Sequence, residues 1–100
     1  MKIPKKIKTL LKLVEKFLEL KMNAIEFEKK YEKLYSELLF KNSFEEINNN
    51  FNDFLADVHA EINYFEPNEE YRKEHSSYLD EKQLRKRVTK LYKKLRSSLK

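Results

Sequence analysis

An all-α fold, a small antiparallel four-helix bundle, is predicted by three features of the sequence. Glycine is absent from all 100 positions, apolar residues recur at three- and four-residue steps, and helix-start signals precede the apolar runs. Without glycine, positive-φ hairpin turns and phosphate-cradling loops lose the residue they depend on. Proline occurs only at Pro4 and Pro67, where it can open or end a helix.

The first helix is expected from about Pro4 to Leu20, with Ile7, Leu10, Leu11, Val14, Phe17 and Leu18 on its apolar face. Lys12, Glu15 and Lys16 interrupt that run, so it reads as an amphipathic helix and not as a signal peptide. Asn23 with Glu26 three residues on forms a capping box for a second helix. Its inward face would be Phe27, Tyr31, Leu34 and Leu38, with Ile25 at the edge. Ser43-Phe44-Glu45-Glu46 gives a second box, opening a third helix to about Phe65 with Phe44, Ile47, Phe51, Phe54, Leu55, Val58 and Ile62 inward. Pro67 disfavours helix at Glu66, so residues 66–79 read as a polar connection with a short helical turn around Glu69 to Lys73. Asp80 with Gln83 opens a last helix carrying Leu84, Val88, Leu91, Leu95 and Leu99. Its charges match the helix dipole, with Asp80 and Glu81 at the start and Lys93, Lys94, Arg96 and Lys100 near the end.

At 100 residues and 12.3 kDa the chain suits one domain over residues 1–100. A hydrophobic fraction of 40% argues against disorder, while 39% charged residues and a mean hydropathy of −0.86 demand a narrow core beneath a solvated surface. No stretch approaches the ~20 apolar residues of a membrane span. These features suit a soluble, cytoplasmic protein with no membrane partner.

Little in the sequence points to catalysis. With no cysteine there is no thiol nucleophile, disulfide or cysteine zinc site. His59 and His75 have no companion ligands at a recognised metal spacing, and His59-Ala60-Glu61 lacks the cysteine pair that would complete a zinc deaminase site. The serines show no triad arrangement. No enzyme activity, cofactor, metal or small-molecule substrate is therefore expected.

Charge is the more informative signal. The net +5 conceals an acidic middle, −8 over residues 41–81, between basic ends of +5 over residues 1–22 and +9 over residues 82–100. On a helical wheel Glu46, Asn50, Asp53, Asp57 and Glu61 share one stripe opposite the apolar face. Such a stripe suits either a solvated helix face or a docking surface for a basic protein. The last helix carries Lys82, Arg85, Lys86, Arg87, Lys90, Lys93, Lys94 and Arg96, which suit phosphate binding, an anionic membrane surface, or the solvated rim of a docked helix. Tyr64, Phe65, Tyr71 and Tyr78 flank the acidic connection, as core edges or as interface anchors.

Several pieces of the chain resemble, in order and spacing, the colicin D type and the wider group of colicin-like bacterial immunity proteins. They are Phe17-Leu18-x-x-Lys21-x-x-Ala24-Ile25-Glu26-Phe27, Leu34-Tyr35, Phe65-Glu66-Pro67, and Tyr78-x-Asp80-Glu81-x-x-Leu84-x-x-x-Val88. The chain departs from the family pattern at Asn68 and at Asn63, where acidic residues are usual. The resemblance implies a four-helix inhibitor that covers the active site of a cognate nuclease toxin, a basic domain that cleaves transfer RNA and comes from a colicin or a contact-dependent inhibition system. It also implies an acidic contact surface. Candidate residues are Glu46, Asp53, Asp57, Glu61, Tyr64, Glu66, Glu69, Glu70, Tyr71 and Tyr78. The alternative is a small RNA-binding helical module that uses the basic first and last helices.

Overall fold

The structure, a computed structural model, describes residues 4–45 and 47–98. It is all-α: α1 Lys5–Leu18, α2 Ala24–Phe40, α3 Asn49–Asn63, a one-turn α4 Glu69–Arg72, and α5 Glu81–Ser98. Leu99, Lys100 and Glu46 lie outside the described residues. No described helix is long and apolar enough to cross a membrane.

The absence of glycine shows most clearly where α1 and α2 stop. Each ends in a residue at positive φ, Leu20 at 64° and Asn42 at 55°, in the position glycine usually takes. After α1, the N–H of Leu20 donates to Phe17 O and that of Lys21 to Lys16 O. After α2, the N–H of Asn42 donates to Leu39 O and that of Ser43 to Leu38 O. Both are Schellman motifs, which satisfy the last carbonyls of each helix.

That closure corrects the expected start of α3. Ser43 uses its backbone N–H to finish α2, and residues 41–45 are turn. The helix starts instead at Asn49, where the Asn48 side chain accepts from the N–H of Asn50 at 2.7 Å. Phe44 and Ile47 are still buried, as hydrophobic plugs on the turn and not as a helix face.

The other starts follow the sequence signals. Asn23 Oδ1 accepts from the N–H of Glu26 at 2.8 Å. Asp80 and Gln83 form the reciprocal box, Gln83 N–H to Asp80 Oδ1 at 2.8 Å and Asp80 N–H to Gln83 Oε1 at 2.9 Å.

The buried residues form a single hydrophobic cluster drawn from α1, α2, α3, α5 and the turns between them. α3 packs mainly on α5 and α1 on α2, with α5 also touching α1 and α2. An aromatic column runs through it. Phe17 stacks on Phe27 at 4.3 Å, and Phe27, Tyr31 and Tyr35 follow at one-turn steps along α2, with Phe44 beside Tyr35. The Tyr31 hydroxyl is satisfied by Leu55 O of α3 at 2.7 Å. Tyr35 and Leu13 join the core beyond the expected faces, while Leu11, Leu18, Leu34, Phe51 and Leu91 are only partly buried. Ile25 turns outward at 57% exposure, because the core side of α2 is set by Ala24, Phe27, Tyr31, Tyr35 and Leu38.

Candidate functional site

The acidic stripe of α3 runs along its seam with α5. Phe54, Leu55, Val58 and Ile62 face the core, and Leu84, Val88 and Leu95 do the same from α5. The residues flanking these two faces therefore meet. Asn50, Asp53 and Asp57 line a shallow cleft with Leu91, Lys94 and Ser98 of α5. Asp53 and Asp57 are exposed. Glu61 is half-buried, and its Oε2 lies 3.6 Å from Arg87 Nη1. Glu61 and Arg87 share a small recess with Tyr64, Ser77 and Leu79. Bases of α5 thus sit beside this stripe and offset part of its charge. Helical periodicity alone gives the exposure of Asp53 and Asp57 but not the identity of the neighbouring helix.

The connection after α3 is tied down by backbone groups. Phe65 is buried and pairs with Leu79 in an isolated parallel bridge, with Glu66 N–H donating to Leu79 O and Leu79 N–H donating to Tyr64 O. Asn68 caps α4 by accepting from the N–H groups of Glu70 and Tyr71. Glu66 is held at both ends: its carboxylate accepts from Asn68 N–H at 3.0 Å, and its carbonyl accepts from Arg72 Nη1 at 2.7 Å. Glu69 and Glu70 point to solvent, Glu70 within 3.4 Å of Lys73 Nζ. Tyr64 and Tyr71 are about half exposed, at 50% and 54%, while Tyr78 is half-buried beside the His75 ring. Of the four aromatics around the connection, Phe65 is core and Tyr64 and Tyr71 are open to a partner.

A second acidic group, which the sequence reading missed, lies where α2 faces the end of α3. Glu28 and Glu32 line a groove there with Ile25, Lys29, Ile62 and Asn63. Partial burial, then Glu32, then Glu66 push the Glu28 carboxyl above its ordinary range. Lys33 lines the same groove beside Lys29, so the group carries both signs of charge. Glu32 Oε2 also approaches His59 Nε2 at 2.8 Å, off the N–H direction, so this is an ion-pair contact when the imidazole is protonated and not a well-aligned hydrogen bond. The His59 ring stacks on Tyr35 at 4.4 Å. The i,i+4 spacing of Glu28 and Glu32 was legible as a like-charge pair, but its neighbour Glu66 comes from tertiary packing.

His59 and Glu61 serve opposite flanks of α3, toward Glu32 and toward Arg87, so the His-x-Glu piece makes no common site. Among the described residues no group of three or more His, Cys, Asp or Glu is placed to hold a metal ion.

The fold and these surfaces define a small all-α protein whose distinctive chemistry lies in exposed charged faces. The family model for bacterial self-protective colicin-like immunity matches residues 5–95, from the first turn of α1 into the last turn of α5, and the chain belongs to that family. No curated protein matches the sequence.

Proposed function

We propose that this protein binds and neutralises a cognate bacterial nuclease toxin, an RNA-cleaving domain of the transfer-RNA type from a colicin or contact-dependent inhibition system, by covering its active site with carboxylates. The observation that carries the reading is family membership over nearly the whole chain. A nuclease active site must attract phosphates, so it presents cationic groups that a cluster of carboxylates can occupy in their place.

Two acidic surfaces are candidates for the contact. The first is the α3 stripe, with Asp53 and Asp57 exposed and Glu61 beside Arg87. The second is the Glu28, Glu32 and Glu66 group, continued by Glu69, Glu70 and the exposed Tyr71. The second is favoured as the centre of the contact because Glu28 and Glu32 line one groove with Glu66 close to Glu28, so that three carboxylates converge where a cationic partner could meet them. Asp53 and Asp57, on the α5 side of α3, then act away from that centre, steering approach. Screening over about 8 Å at physiological salt means that a partner responds to these local surfaces more than to the net charge of +5.

The test is to express the C-terminal domain encoded by the adjacent upstream reading frame with and without this chain. The expected result is a stable one-to-one complex, suppression of RNA cleavage in vitro and survival of the co-expressing cells. A toxic domain that neither binds this chain nor loses activity in its presence would contradict the proposal.

A further inference from the structure

The outward face of α5 carries charge of one sign, opposite to that of the acidic side chains described above. Residues 82–100 hold nine Lys and Arg and no acid. Leu84, Val88 and Leu95 turn inward, which leaves Lys82, Lys86, Lys90 and Lys93 on the opposite side, all exposed. Arg85 and Arg87 are occupied, Arg85 by Phe17 O, Met22 O and Glu81, and Arg87 by Glu61. None of the four lysines lies within 4 Å of a described carboxylate. They border a shared open groove with Gln83 and Thr89.

Steps of four, four and three residues at a rise of about 1.5 Å place successive lysine positions roughly 4.5–6 Å apart along the helix axis. Regular spacing suits a polyanion with one charge per repeat. The large exposed hydrophobic side chains of the described residues lie elsewhere, so this face offers a bilayer nothing to insert. No aromatic ring borders the groove, so bases would find no stacking platform. We infer that the Lys82, Lys86, Lys90 and Lys93 face of α5 binds the phosphate backbone of RNA without sequence preference, as a second surface separate from the acidic one. It stands whether or not the toxin reading holds.

The experiment is fluorescence anisotropy of an end-labelled oligouridylate, about 12 nucleotides long, against the full chain from 50 to 200 mM salt. Four lysine–phosphate contacts predict a slope of log affinity against log salt near −3, at about 0.7 per phosphate on a single strand. Lys86→Gln/Lys90→Gln should weaken binding at 50 mM salt several-fold and flatten the slope by about 1.4, and the quadruple Lys→Gln variant should abolish both affinity and slope. Lys8→Gln/Lys12→Gln on α1 should leave binding unchanged. Helical circular dichroism should match for all variants, and the double variant carries the test if the quadruple one misfolds. Absence of binding at 50 mM salt, equal loss from the α1 variant, or preferential capture by anionic vesicles or polyglutamate that the oligonucleotide cannot displace would each overturn the inference.

Discussion

The Glu81 carboxylate accepts a hydrogen bond from the backbone N–H of Ala24, 57 residues earlier, so the first turn of α5 caps the first turn of α2. Arg85, one turn on, donates to Phe17 O at 3.1 Å and to Met22 O at 3.4 Å, and lies 4.5 Å above the Phe17 ring. Together the two side chains bind the α1–α2 junction to α5, with 3.6 Å between Arg85 Nη1 and Glu81 Oε2. Glu81→Ala is expected to lower stability by about 1–2 kcal/mol through the lost cap. Arg85→Lys should also destabilise, since one ammonium cannot reach both carbonyls and cover the ring. Urea denaturation of each variant checks both, and an unchanged midpoint for Glu81→Ala would refute the capping role.

Leu20 holds a backbone conformation that suits glycine, at φ 64°, with its side chain 73% exposed. Leu20→Gly removes the steric penalty and gives up little burial, although glycine gains freedom in the unfolded chain. The net expectation is a gain of roughly 0.5–1 kcal/mol, read as a higher melting temperature. A fall in melting temperature would show that Leu20 contributes through contacts the exposure does not reveal.

Tyr31 predicts the alkaline limit of the fold. Burial, with a smaller contribution from Tyr35, pushes its hydroxyl well above the ordinary value of 10.0. A raised folded-state pKa means that the stabilisation is complete below pH 10 and is lost as pH rises toward the folded value, because the unfolded chain ionises first. Tyr31→Phe loses the bond to Leu55 O, costing about 1 kcal/mol at pH 7, and should show a shallower decline above pH 10. Denaturation curves at pH 7 and pH 11 for both proteins decide the point. Parallel declines would rule Tyr31 out as the sensor.

Glu28 makes a prediction of the same sign in the acidic range. Its carboxyl is raised by partial burial, Glu32 and Glu66, so the stability associated with the protonated form is present below the usual carboxylate range and is lost as pH rises through it. Glu28→Gln should therefore be more stable than the parent protein at pH 7, with the advantage disappearing below about pH 4. The same substitution should weaken toxin binding, which would make Glu28 a residue kept at the expense of stability. Thermal melts across pH 3 to 7 check the stability half, and an advantage that persists at pH 3 would count against it.

The two kinds of capping signal explain how much of this fold was legible. Asp80 and Gln83 are local and made both bonds their spacing implies, and the apolar spacing of α3 and α5 marked residues that are buried. Ser43 failed as a start signal because the end of the preceding helix had a stronger claim on its backbone, a competition that a four-residue motif does not encode. Exposure of Asp53 and Asp57 followed from periodicity. That Lys94 stands beside them, or that Glu66 reaches Glu28, depends on which helices pack together, and no spacing within one helix carries that information. Ile25 turned outward for a similar reason, since the core side of α2 was decided by its aromatic column.

Asp53→Lys and Asp57→Lys test the steering role proposed for the α3 stripe. Both side chains are exposed, so the fold should be unaffected, and reversal beside Lys94 leaves a cationic patch facing a cationic toxin. Slower association and a stronger dependence on salt are expected, with a smaller change in dissociation. Stopped-flow binding separates the two rates, and an unchanged association rate would remove these residues from the contact.

In the proposed complex, carboxylates of α2 and of the connection between α3 and α5 occupy the toxin's RNA-binding site. The most direct measurement titrates the toxin domain's RNA cleavage with the parent protein and with Glu28→Lys/Glu32→Lys, after circular dichroism has matched their helical content. Complete inhibition at one equivalent by the parent protein, and at least a tenfold weaker effect of the variant, about 1.4 kcal/mol, is the predicted result. Equal inhibition by the two proteins would contradict it.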